Sequence, residues 1–264
     1  MAKFWRQKAE ILVAGKKFAK DDFEIDFKVE FDDDPEPNIS EIAIYNLSND
    51  TISTIKKGSN IILNAGYEGD IGTILLGKVE KPETAWDGVD KKTNIIIGEG
   101  SDVWMKAYVS KAYSPGITSR AILRDLSGQF GMELGDFRLT KDITYVKGKS
   151  VSGMLQSVIR EIVKDTGSKF HINKGKIYIR PWEAGDKTGF LLSSDTGLLE
   201  SPTPFEEEVD GKKVSGYNVK MLLNHRITVD SILKIESKTA NGIFRVWKGA
   251  HYGDFITEVK AVAA

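Results

Sequence analysis

The clearest signal along the chain is an alternation. Phe23, Ile25, Phe27, Val29 and Phe31 are separated by Glu24, Asp26, Lys28 and Glu30. A period of two puts the first set on a buried face of a strand and the second on a polar face. The run Asp32, Asp33, Asp34, Pro35, Glu36, Pro37 ends it, because proline donates no hydrogen bond to a ladder. Further strand-like runs are expected over 40–47, 60–65, 73–81 and 92–98, with turns over 66–70 and 86–90. Residues 48–57 read as a short helix, since Ile52 and Ile55 recur at i+3. Short strands at this spacing predict an antiparallel barrel or sandwich.

The period then changes. Thr118 is placed as an N-cap, followed by Ile122, Leu126 and Phe130 at helical spacing and by Gly131 as a stop. A second helix is expected from Ser150, with Val151, Leu155, Val158, Ile159 and Ile162 on one face and Gly167 after its end. A strand over 176–180 follows, closed by Pro181. Alternation returns over 217–223, 231–236, 242–248 and 254–262. Asn241-Gly242 reads as a hairpin turn, 252–254 as another turn, and the acidic run 206–211 as a solvated loop. The predicted fold is mainly β with an α+β insert. A first β domain covers 1–110, an α+β module 111–190 and a second β domain 191–264.

Composition changes this picture little. Of 264 residues, 41% are hydrophobic and 28% charged, as in an ordinary folded domain, and the formal net charge of −1 lacks the basic excess of a nucleic-acid binder. The absence of cysteine excludes disulfides, thiolate metal sites and cysteine nucleophiles. Residues 1–15 carry Lys3, Arg6, Lys8 and Glu10 and no apolar core, so no signal peptide is expected there. No run approaches about 18 apolar residues, so no membrane anchor is expected.

Charge is more informative when divided. Residues 1–100 hold 13 basic and 19 acidic side chains, a net of −6. Residues 101–190 hold 15 and 9, a net of +6, and the remainder is close to neutral. This segregation predicts complementary surfaces within or between subunits.

Chemical motifs are sparse. His171, His225 and His251 have no ligand spacing. Asp32, Asp34 and Glu36 alternate as in a calcium loop but lack its glycine and its closing glutamate. Lys147-Gly148-Lys149-Ser150 resembles the tail of a P-loop, with Ile143 where a glycine is needed. Ser53-Thr54-Ile55-Lys56 stands without the companion motifs of a serine acyltransferase. No catalytic residue, cofactor or metal is expected. The basic residues Arg120, Arg124, Arg138, Lys141, Lys147 and Lys149 come with no recognition helix or stacking platform, so no sequence-specific nucleic-acid partner is expected.

Three stretches taken in order carry a resemblance. The first runs from Asn64-Ala65-Gly66-Tyr67 through Gly72-Thr73-Ile74-Leu75-Leu76-Gly77 to the turn at Asp90. The second is Ala112-Tyr113-Ser114-Pro115-Gly116-Ile117-Thr118 and the helix after it. The third is Leu222-Leu223-Asn224-His225-Arg226-Ile227, then Gly242-Ile243-Phe244-Arg245-Val246, then His251-Tyr252-Gly253-Asp254. In this order they resemble the baseplate hub proteins of contractile-tailed bacteriophages, of tail-like bacteriocins and of type VI secretion spikes. The resemblance spans nearly the whole chain, which is short for that family.

The resemblance implies two tube-type antiparallel β-barrels flanking the α+β module, and a homotrimer whose six barrels form a pseudo-sixfold ring. It implies a structural subunit of a virion or tail-like particle, assembled in the bacterial cytoplasm. Its partners would be the tail tube protein, a central spike protein and other baseplate proteins. Glu24, Asp26, Lys28 and Glu30 are the candidate lumen or interface residues, with Asp32, Asp33 and Asp34 in a contact loop. Two other readings stand beside it: a tail-tip cell-wall hydrolase using a carboxylate pair, and a glycan- or peptidoglycan-binding module using Trp86 or Trp182.

Overall fold

A computed structural model describes residues 4–34, 36, 38–98, 106–129, 133–209 and 211–264. Pro35, Pro37, Trp104, Phe130, Gly131 and Asp210 lie outside the described residues. The elements in chain order begin with β1 (Gln7–Val13), β2 (Lys16–Ala19), β3 (Ile25–Asp32), β4 (Ile39–Tyr45), α1 (Asn49–Thr54), β5 (Asn60–Tyr67), β6 (Asp70–Asp87) and β7 (Asp90–Gly98). Next come β8 (Tyr108–Tyr113), β9 (Ile117–Thr118), α2 (Ser119–Gly128), β10 (Glu133–Phe137), β11 (Thr144–Tyr145), β12 (Lys149–Met154), α3 (Leu155–Asp165), β13 (Ser168–Asn173) and β14 (Lys176–Pro181). The last are β15 (Asp186–Leu192), β16 (Thr203–Val209), β17 (Lys212–Leu222), β18 (Ser231–Glu236), β19 (Asn241–Tyr252) and β20 (Ile256–Ala263). The protein is mainly β with a small α+β part.

The chain forms two compact units. One gathers residues 1–32, 39–98 and 185–264; the other gathers 33–38 and 99–184. The first unit is a 13-stranded sheet with the path β16-β17-β20-β19-β3-β4-β7-β6-β5-β1-β2, and β18 pairs both β19 and β15. The pairing of β3 with β19, for example His251 opposite Val29, joins the early strands to the late ones.

Two separate cores lie in this unit, and β3 serves both. Ile25, Phe27 and Val29 belong to a core with Ile11, Ile42, Leu63, Ile95 and, from the far end of the chain, Leu223 and Phe255. Phe31 belongs to another core, with Val219, Met221, Leu233, Val246 and Val259. The alternation holds along the strand: Ile25, Phe27, Val29 and Phe31 are each at most 4% exposed. Burial of each such side chain contributes about 1.5–3 kcal/mol. The predicted α1 is present, and the Ser48 hydroxyl caps it by accepting from the Thr51 amide at 3.2 Å.

The second unit packs α2 and α3 on a three-stranded sheet, β10-β14-β13. Ile122, Leu126, Leu155, Ile159 and Ile162 meet Phe170, Ile172, Ile177 and Ile179. Thr118 is the N-cap of α2, as its position predicts, with its hydroxyl accepting from the Ala121 amide at 3.3 Å.

Three local expectations are overturned. The second helix does not begin at Ser150. Residues Lys149–Met154 form β12 and pair with β8, and α3 starts at Leu155 behind Met154. Val151 shares helical spacing with Leu155, yet a six-residue ladder to a distant strand outweighs one added helical turn. The acidic run at 206–208 is not a loop but part of β16, paired with β17. The Asn241-Gly242 pair is not the hairpin turn: Asn241 already faces Glu236 in the β18–β19 ladder, so the loop lies just before it.

Candidate functional site

Register decides what the polar face of the sheet presents. Asp32 faces Lys248, Lys248 faces Lys260, Lys260 faces Asn218 and Asn218 faces Thr203, a polar row across five strands. The next row is Glu30, Ala250, Glu258 and Lys220. Paired residues in antiparallel strands share a face, and the opposite face carries Phe31, Val219 and Val259 of the core. The two rows line an open groove of about 660 Å³, with Tyr252, Glu200 and Ser201 at its margins. Lys220 lies 3.4 Å from Glu200 and 3.6 Å from Glu258.

The hairpin of β16 and β17 closes one side of this face. Lys248 and Lys260 are directly opposed, which alone is unfavourable. Glu207 offsets that: Oε2 lies 2.8 Å from the Lys248 ammonium, and Oε1 contacts that of Lys260. The β19–β20 register shifts between Val246 and Lys248, leaving Trp247 in a bulge. The Trp247 ring stacks on Phe205 of β16, with centroids 5.9 Å apart. The Phe205 ring reaches that position over Gly216. A Cβ on Gly216 would lie 2.1 Å from the Ala261 carbonyl oxygen and 3.0 Å from Cε1 of Phe205.

The residues singled out from the alternation are dispersed. Glu24 is exposed. Asp26 accepts from the Phe27 amide at 2.8 Å. Lys28 pairs with Glu30 along the strand, and that carboxylate raises the lysine's pKa. Glu30 and Asp32 are the two that line the groove. Asp34 accepts from the Glu36 amide at 2.9 Å. Asp33 belongs to the second unit, where its buried carboxylate lies 2.9 Å from the buried Lys169 ammonium. The lysines that complete the groove and Glu258 come from β17, β19 and β20, and Glu200 from the segment just before β16. Short alternations such as Glu258, Val259, Lys260 were their only sequence trace.

A smaller cavity of about 220 Å³ lies at the start of β6. Phe4, Tyr67 and Phe190 form its aromatic wall; Asp70, His225 and Arg226 form its polar rim. Arg226 donates to both oxygens of Asp70, at 2.8 and 2.5 Å. These bonds hold the Asp70 carboxyl below its ordinary range and raise Arg226. The His225 ring sits where a Cβ of Gly72 would stand, 2.1 Å from that position, so only glycine admits it there. Burial pushes the Tyr67 phenol up to about 12.

The other histidines serve packing. His251 donates from Nε2 to the Ile227 carbonyl at 3.0 Å, and its Nδ1 lies 2.7 Å from the Thr257 hydroxyl. His171 stacks flat on Tyr178. Among the described residues no three His, Asp or Glu side chains gather to hold a metal ion, and no helix is long and apolar enough to cross a membrane.

No protein-family model matches the chain, and no curated protein sequence matches it. Solved structures do. A 43 kDa tail protein of prophage MuSo2 from Shewanella oneidensis aligns over 98% of both chains, with a TM-score of 0.71 and 8% identity. A tail protein from Neisseria meningitidis aligns over 98% of this chain and 97% of its own, with a TM-score of 0.68 and 7% identity. A third match is an Escherichia coli component of the type VI secretion system, described as structurally similar to the T4 tail proteins gp27 and gp5. It covers 100% of this chain and 76% of its own, at a TM-score of 0.63 and 7% identity. At such identities the likeness is one of fold. The fold is that of phage tail proteins and a type VI secretion component, as the sequence resemblance implies.

Proposed function

We propose that this chain is a structural subunit of a phage tail or tail-like particle, acting as a baseplate hub. Three copies form a ring, and the two β parts of each copy make that ring pseudo-sixfold. One face then meets a sixfold tail tube and the other a threefold spike, which reconciles the two symmetries with one kind of chain. The observation that carries this reading is the end-to-end fold correspondence with tail proteins, over 98% of this chain and of the Shewanella tail protein. The two separate cores under one sheet support the two-part ring segment. The ion-paired groove agrees with a mating surface, since Lys220 lies between two carboxylates, Glu200 and Glu258, and balances one of their two charges. The particle is assembled in the bacterial cytoplasm, and the role is mechanical rather than enzymatic.

Native mass spectrometry and sedimentation over a range of concentrations test this. A trimer, alone or on addition of the tube protein, is the expected result. A folded monomer at every concentration, with and without that partner, would overturn the proposal. Clearing of bacterial cell walls in a zymogram would overturn the non-enzymatic part.

A further inference from the structure

The open groove on the polar face of the sheet is not evenly charged. At one end the ammonium groups of Lys248 and Lys260 share Glu207, and Asp32 faces Lys248 in register, so two bases meet two acids. Toward Tyr252 the count differs. Lys28 pairs with Glu30, and Lys220 lies 3.4 Å from Glu200 and 3.6 Å from Glu258. Asp254 follows two residues after Tyr252. Four carboxylates there meet two ammonium groups, a net charge of −2, and among the described residues these acids have no further ion pair. Burial raises the pKa of the Tyr252 phenol, and the charges of Glu258, Glu30 and Asp254 raise it further against the opposing Lys28. The fields of these acids therefore converge beside that ring. The backbone shapes the same end. Ala250 stands between Glu30 and Glu258 in one row, and two residues before Tyr252 on the same face. Its methyl is the shortest side chain of the row, so the row dips there, with a carboxylate on either side and a phenol ring along the strand.

We infer that this end of the groove receives an arginine- or lysine-bearing segment of a partner protein, with the cationic head over Ala250, between Glu30 and Glu258 and against the Tyr252 ring. Charge decides the sign of the occupant, since an inserted cation reduces a surplus of two negative charges. Spacing decides its kind. The backbones of Glu30 and Glu258 stand two strand spacings apart, about 10 Å, and among the described residues no three acids gather as metal ligands. A guanidinium or ammonium on a long stem reaches between them, with several donors to share. An aromatic face beside the site attracts the same heads. The form of the groove decides the source. It is open and lined with charge, unlike the mostly apolar pocket of a small-molecule site, so the head arrives on a protein surface. The contact rests on the mating surface proposed above and names its chemistry, but its test needs no ring.

An NMR titration of the full chain with a blocked peptide, Ser-Arg-Ser-Arg-Ser, provides that test, beside the same peptide with citrulline for arginine and beside spermidine. The arginine peptide should bind, shift the amides of Ala250, Tyr252 and Glu258, and weaken as salt rises. The citrulline peptide should not bind. Glu258→Gln should lower the affinity about threefold, and Lys220→Gln, which frees the acids that this lysine balances, should raise it about threefold. These opposite responses separate a charge effect from damage to the fold. Binding of citrulline peptide or spermidine as tightly as of the arginine peptide would overturn the inference, as would no binding at all or no response to either substitution. A chain that trimerises yet gives one of those results keeps the ring proposal and loses this contact. A chain that binds the peptide but stays monomeric, with and without the tube protein, keeps the contact and loses the ring.

Discussion

Lys248 and Lys260 face each other across neighbouring strands, and one carboxylate, Glu207, holds both. The acid reaches them from β16, two strands away from β20 along the sheet. The ion pairs therefore fold the outer hairpin onto the charged face and remove the repulsion beneath it.

Glu207→Gln should leave the fold intact and destabilise it by about 1–2 kcal/mol, since two half-exposed ion pairs are lost and two ammonium groups stay opposed. Urea unfolding at low and high salt checks the cause. Screening of the lysine pair should shrink the deficit at high salt. A deficit that does not change with salt would mean that Glu207 acts through packing alone.

Gly216→Ala should destabilise by about 1–3 kcal/mol, because the added methyl collides with the Ala261 carbonyl oxygen and with the Phe205 ring. Removing the ring as well, in Phe205→Ala with Gly216→Ala, should not restore stability, since the closer clash is with backbone. Trp247 fluorescence, followed through thermal unfolding, reports both variants. Full rescue by the second substitution would place the collision on the ring instead.

In the second unit, Lys169 and Asp33 form a buried pair. Lys169→Met or Asp33→Asn alone should cost about 3–5 kcal/mol, because each leaves a charge buried beside an uncharged partner. The double variant should cost less than the sum of the two. A double-mutant cycle by chemical denaturation measures the coupling, and strict additivity would show that the two groups do not depend on each other.

Tyr67 provides an alkaline test. Its folded pKa of about 12 lies above the ordinary tyrosine value of 10.0 because burial disfavours the phenolate. The folded state then holds a proton that the unfolded state releases, so this contribution to stability is complete below about pH 10 and is lost as pH rises toward 12. Tyr67→Phe should flatten the fall of stability over that range. An equal slope in both proteins would show that other groups set the alkaline limit.

Much of the strand content was legible because half-buried strands alternate, and β3 and β18 appear where that rule puts them. Where alternation is absent, the sequence misleads. All six residues of β13, including Lys169, His171 and Asn173, are buried, so no polar face marks it. Val151 fits a helical face as well as a strand position, and only its pairing opposite Lys111 decides between them. Glu206 and Glu207 read as solvated because their lysine partners lie elsewhere: Lys213 in the neighbouring strand for Glu206, and Lys248 and Lys260 farther on for Glu207. The groove itself was half legible. Glu30 and Asp32 follow from the alternation, but the rows that join them to Lys248 and Glu258 depend on strands more than 200 residues away, and no local pattern encodes that register.

The pairing of β3 with β19 also has a temporal side. During synthesis β3 emerges early, with its partner β4 close behind, but the strand that covers its other edge is made some 200 residues later. The intervening α+β unit carries its own core and has the means to fold while that edge waits. A nascent chain thus exposes an apolar-faced strand for tens of seconds at ordinary translation rates of about 5–20 residues per second. The charged alternates of that same strand, Asp26, Lys28 and Glu30, are the gatekeepers that keep the waiting edge from recruiting another chain.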